Sequence, residues 1–102
     1  AKTGKITVNK VIEKMCHAPA DLFGIQKRGY LREGYYADIV ILNPETQETV
    51  SKNNILYKCG WSPLEGETFT TTIEQTIVSG HLAYSFGKFD ETKKGERLVF
   101  NP

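Results

Sequence analysis

Apolar positions recur at helical spacing only near the start of the chain. Val8, Val11, Ile12 and Met15 follow one another at intervals of three and four, with Lys10, Glu13 and Lys14 on the opposite side. That pattern predicts an amphipathic helix of about three turns, with Thr7 as its N-cap. Pro19 is expected to end this helix or to open a second, because proline has no amide hydrogen and suits a first helical turn. Ala20, Leu22 and Phe23 would make that short second helix, and Gly24 its left-handed C-terminal cap.

From Gly29 onward the period changes. Gly34 marks a turn, and the β-branched run Ala37-Asp38-Ile39-Val40-Ile41-Leu42 predicts a strand that Asn43-Pro44 breaks. Glu48-Thr49-Val50 reads as a short returning strand. Thr70 to Val78 alternates and is rich in threonine and isoleucine, which suits a longer strand. Ser79-Gly80 is a tight-turn signal, with His81 to Ser85 as the partner strand of a hairpin. Residues 51–68, with Trp61, Pro63 and Gly66, have no clean period and are expected to form an ordered loop. Its aromatic and proline content predicts that Trp61 is at least partly buried against the β unit or a neighbouring chain. Lys88 to Lys94 reads as a polar surface tail, after which Leu98, Val99 and Phe100 could dock.

Composition narrows the function classes. A 39% hydrophobic and 25% charged content is that of a folded chain. A net charge of +1 offers no electrostatic pull on nucleic acid or an anionic membrane. The longest aliphatic stretch, Ile39 to Leu42, is far too short to span a bilayer, and no N-terminal apolar run resembles a signal peptide, so a cytoplasmic location is expected. Cys16 and Cys59 have no ligand spacing and are expected to stay reduced. The chain opens Ala1-Lys2-Thr3-Gly4 with no initiating Met, which by itself distinguishes little, since processing leaves the same start.

No catalytic constellation emerges from the residues. A hydrolytic zinc site needs several His or carboxylate ligands on one point. The two histidines, His17 and His81, are separated by most of the chain and read as locally hydrogen-bonded imidazoles. Cys59 beside Gly60-Trp61-Ser62 has no nearby base and reads as a half-buried thiol. Gly29 to Gly34 matches neither phosphate-loop pattern and leads into a strand. Lys27, Arg28 and Arg32 lie among Tyr30, Tyr35 and Tyr36, a mix that can bind single-stranded nucleic acid. Glu33 and Asp38 dilute that charge, so packing is the preferred reading. Asp38 is expected to accept hydrogen bonds from the preceding turn rather than to do chemistry.

Three segments, in order, resemble the C-terminal end of the amidohydrolase superfamily. They are His17-Ala18-Pro19-Ala20-Asp21-Leu22-Phe23-Gly24-Ile25, Gly29 to Val40 with its Gly34-Tyr35-Tyr36-Ala37-Asp38 core, and Thr76-Ile77-Val78-Ser79-Gly80-His81-Leu82-Ala83-Tyr84. A fourth, Tyr57-Lys58-Cys59-Gly60-Trp61-Ser62-Pro63-Leu64-Glu65-Gly66, resembles a loop of the dihydroorotases and of their allantoinase and hydantoinase relatives. The wording is most similar to the dihydroorotases.

The resemblance implies an α+β fragment. Residues 1–28 would be the terminal helices of a TIM-like barrel. Residues 29–102, with the ordered loop 51–68, would supply antiparallel strands of the small amidohydrolase β-sandwich. It also implies a parent enzyme in which a metal-activated hydroxide reversibly opens dihydroorotate to N-carbamoyl-aspartate in pyrimidine biosynthesis. Its zinc ligands (an HxH pair, a carboxylated Lys, two further His and an Asp) would lie upstream. This chain is then expected to hold no catalytic, cofactor-binding or metal-ligating residue. Its expected partner is the remainder of the parent, barrel and N-terminal strands, with self-association as a second arrangement, and neither nucleic acid nor membrane. The competing readings are another cyclic amidohydrolase, of allantoinase or dihydropyrimidinase type, and a free-standing β-rich interaction module.

Overall fold

The first helix begins where its cap predicts. Thr7 is extended, its Oγ1 accepts the Lys10 N–H at 3.2 Å, and its carbonyl accepts the Val11 N–H at 3.1 Å. A computed structural model describes residues 4–101, so Ala1-Lys2-Thr3 and Pro102, at the ends of the two expected ranges, lie outside the described residues. The two expected helices prove to be one continuous run: α1 (Val8–Ile12), a π-helical segment (Glu13–His17) and α2 (Ala18–Phe23).

Pro19 does not break the run, but it does sit in the first turn of α2, as one of the two expectations had it. The Ala18 N–H reaches back five residues to the Glu13 carbonyl, and this wider turn makes room for a ring that would strike a carbonyl in a regular α-turn. Gly24 then closes α2 in the left-handed region (φ 63°), its N–H bonded to the Ala20 and Asp21 carbonyls, as expected of a glycine cap.

The strands follow as β1 (Ile39–Asn43), β2 (Glu48–Thr49), β3 (Thr68–Phe69), β4 (Thr72–Val78), β5 (His81–Ser85) and β6 (Lys88–Phe89). Four of them form an antiparallel sheet in the order β1-β4-β5-β6. Glu74 and Ala83 are each skipped in the register, and neighbouring amides take their bulge carbonyls: Phe86 N–H reaches Glu74 at 2.8 Å and Asp90 N–H reaches Ala83 at 2.9 Å. The expected surface tail thus contributes β6, because Tyr84 pairs with Phe89 and Ser85 with Lys88.

β2 does not return on β1. It pairs with β3 in a separate two-stranded sheet, where the hydroxyls of Thr49 and Thr68 meet at 2.7 Å. The loop between β2 and β3 is ordered by local bonds. Ser51 and Asn54 form a capping box around a 3₁₀ turn (Lys52–Asn54), and the Tyr57 hydroxyl donates to the Trp61 carbonyl at 2.8 Å. Trp61 itself remains 59% exposed, so the burial expected of it is not supplied by the described residues.

Little of the apolar surface is covered. Ala20 is the sole buried apolar residue among the described residues, while Val8, Met15, Leu22 and Phe23 on the helical run stand open, as do Val40 and Leu42 on β1. The accessible surface of 8330 Å² compares with about 5,800 Å² for a compact chain of this mass. The radius of gyration, 15.6 Å, likewise exceeds the roughly 13 Å of a self-contained domain of this length.

Candidate functional site

The best-organised polar cluster lies where the connection after the helical run, the start of β1, the β4–β5 turn and the segment around Glu96 meet. Arg28 sits at its centre. It is 8% exposed, and its Nη1 bonds the Asp38 carboxylate while both terminal nitrogens lie 3.4 Å from the Ser79 hydroxyl. Its Nη2 also donates to the Glu96 carbonyl at 3.3 Å, and the guanidinium stacks on Tyr36 at 4.1 Å. Asp38 is placed by the strand start of β1, and its second oxygen accepts the Ser79 N–H at 2.8 Å. The carboxylate therefore serves as a hydrogen-bond acceptor, as the sequence suggested, but for the distant hairpin turn and for Arg28 rather than the turn before it.

This arrangement yields a stability prediction. Asp38→Ala would leave a nine-tenths buried guanidinium without its counter-charge, which costs more than the ~1 kcal/mol of one hydrogen bond. Asp38 is about one-third exposed, which moderates the penalty, so a loss of about 2–3 kcal/mol is expected in denaturant unfolding. Asp38→Asn, which keeps an acceptor for Ser79, should lose less. Equal losses for the two variants would contradict the charge argument.

The remaining basic and aromatic residues turn inward on one another. Arg32 lies over the Tyr30 ring at 4.0 Å and the Tyr35 ring at 5.6 Å. Tyr30 donates its hydroxyl to Asp21 at 2.7 Å, and that bond to a carboxylate raises the phenol above its usual range. His17 stacks on Tyr30 with centroids 4.1 Å apart, and its Nδ1–H donates to the Gly29 carbonyl at 2.7 Å, since a carbonyl can only accept.

His81 is occupied in the same manner. Its Nε2 bonds the Asp90 carbonyl at 3.0 Å, with the Asp90 carboxylate at 3.7 Å. Donation from the Thr92 hydroxyl and amide holds that carboxylate below its ordinary pKa. Cys59 is exposed rather than half-buried, its Sγ directed at the Trp61 carbonyl at 3.7 Å. Among the described residues no three His, Cys, Asp or Glu side chains are grouped to hold a metal. The donors among the described residues do not fit a hydrolytic zinc site.

Sequence reasoning weighed Arg28 only as one of several basic residues and missed its role. Its partners lie 10, 51 and 68 residues away, so no local spacing announces them. The one available signal was Ala37-Asp38 before an aliphatic run, a carboxylate in need of a partner.

Comparison with known proteins adds the wider context. The model of the amidohydrolase family matches residues 1–83. A dihydroorotase of Pyrococcus furiosus is 31% identical over 96 residues, 94% of this chain and 23% of that protein. A dihydroorotase of Clostridium acetobutylicum is 35% identical over 83 residues, 81% of this chain and 19% of that protein. Among solved structures, the L-hydantoinase (dihydropyrimidinase) of Arthrobacter aurescens superposes with a TM-score of 0.76 at 28% identity, over 86% of this chain and 20% of its own. The chain thus spans roughly a fifth to a quarter of the length of these proteins.

Proposed function

The chain belongs to the amidohydrolase family, and we propose that it is the C-terminal part of a dihydroorotase, an enzyme that reversibly hydrolyses dihydroorotate to N-carbamoyl-aspartate. The observation that carries this reading is similarity to proteins of that name over four-fifths or more of the chain. In this reading residues 1–28 close a TIM-like barrel and residues 29–102 furnish strands of a composite β-sandwich. The remainder of the parent brings the barrel, the N-terminal strands, the zinc and every catalytic residue. The work belongs to cytoplasmic pyrimidine biosynthesis. No helix among the described residues is long and apolar enough to cross a membrane.

The role of this chain is then structural. Its imidazoles and the Asp38 carboxylate are committed to internal bonds: His17 bonds Gly29, His81 bonds Asp90, and Asp38 accepts from Arg28 and Ser79. The chain by itself is expected to bind no stoichiometric zinc and to leave dihydroorotate intact. The intact gene product is expected to hydrolyse it, with loss of activity on chelation. Metal analysis and a dihydroorotate assay on both proteins make the test. Stoichiometric zinc with chelator-sensitive turnover in the 102-residue chain would refute the structural role. The superposition on an L-hydantoinase favours one second reading, a parent acting on another cyclic amide. Turnover of a hydantoin but not dihydroorotate by the intact product would select it.

A further inference from the structure

The helical run scarcely packs on either sheet directly. Residues 24–38 join it to β1 without helix or strand, so something else must set its direction. Two features do. One is the contact of Gly29 with the helix. The other is the end of the chain, which touches both sides of the junction.

On the helical side, the Gln26 N–H donates to the Val99 carbonyl at 2.8 Å and the Asn101 N–H donates to the Gly24 carbonyl at 2.7 Å. Ile25 and Phe100 form an antiparallel bridge between these bonds. On the sheet side, Gly95 passes close to Val78, where an added Cβ would lie 3.6 Å from the valine Cγ1. Between the two, the Glu96 carbonyl accepts from Arg28, whose guanidinium also reaches Asp38 and Ser79.

We infer that residues 95–101 form a latch that fixes the helical run to the four-stranded sheet, with Arg28 as its pin. The backbone bonds at Gly24 and Gln26 hold the helix end, and one buried guanidinium ties the tail to β1 and to the β4–β5 turn. Lysine cannot replace it, because a single ammonium lacks the planar fork that spans three acceptors. The latch lies beyond the residues that the family model matches, and it is independent of which cyclic amide the parent takes.

Amide-resolved hydrogen exchange on the intact protein tests this. Removing residues 95–102 should speed exchange at Gln26 by about tenfold or more, while amides in the middle of the β4–β5 pair stay protected. Arg28→Lys should speed Gln26 by a smaller factor, and should add nothing once the tail is gone, since both changes open one device. Unchanged exchange at Gln26 would overturn the latch. So would an equal loss of protection throughout β4 and β5, or full additivity of the two changes. Should the truncated protein not fold, Arg28→Lys alone decides, through Gln26 against β4–β5.

Discussion

Gly29→Ala is expected to destabilise the chain by about 3–5 kcal/mol, enough to leave a marginal fold largely unfolded. Gly29 has a φ of 84°, where an L-residue is disfavoured by about 1–2 kcal/mol. More important is what a methyl group would meet. An added Cβ would fall 2.6 Å from the Ala20 Cβ and 2.6 Å from the Cys16 carbonyl oxygen. Both belong to the helical run, and neither is the end of a flexible side chain that could swing aside. Any shift that relieved the clash would pull the Gly29 carbonyl away from His17 Nδ1, now at 2.7 Å.

Gly34→Ala is the matching control. Gly34 has nearly the same φ, 82°, but an added Cβ there meets nothing within 4 Å. It should lose only the backbone share, about 1–2 kcal/mol. Urea unfolding of both variants separates strain from contact. If the two lose equal stability, the close approach of Gly29 to the helix has no energetic weight.

That pair of glycines also shows how far the sequence could be read. Local signals were legible. Thr7 caps the helix, Gly24 stops it, Ser79-Gly80 turns the hairpin, and the aliphatic run after Asp38 is a strand. Each depends on residues within a few positions of one another. What escaped depends on distance along the chain.

Nothing around Gly29 distinguishes it from Gly34, because the difference lies in a helix nine or more residues earlier. Lys88 and Phe89 carry no strand signal of their own and become β6 only because β5 offers an edge. Pro19 promised an end or a new start; it takes the first turn of α2, while the π-segment keeps the run continuous. The Arg28 junction could not be anticipated, since its three acceptors come from separate regions of the chain.

The last expected result concerns the apolar surface that the chain leaves open. Val8, Met15, Leu22 and Phe23 line the helical run, and β1, with Val40 and Leu42 half exposed, has no strand on its outer edge among the described residues. Between the two sheets lies a groove of about 690 Å³, bordered by Leu56, Phe69, Ile73, Tyr84 and Phe89. Each few hundred Å² of apolar area left in water forgoes several kcal/mol at roughly 25 cal/mol per Å². A domain has only about 5–15 kcal/mol in total.

The chain alone should therefore be marginal, or ordered only when associated. An open edge is also a template for pairing with a second strand. The proposed covering is the rest of the parent protein, given that relatives are four to five times longer than the segment they share with this chain. Adding that remainder in trans should raise the melting temperature by about 20 °C, the scale set by several kcal/mol in a domain of this size. It should also move Trp61, now 59% exposed, toward the blue emission of a covered indole. Self-association would instead show as a melting temperature that climbs with protein concentration. A sharp, concentration-independent transition of the monomer, indifferent to the added polypeptide, would mean that this surface is tolerated as it stands, and would favour a free-standing module.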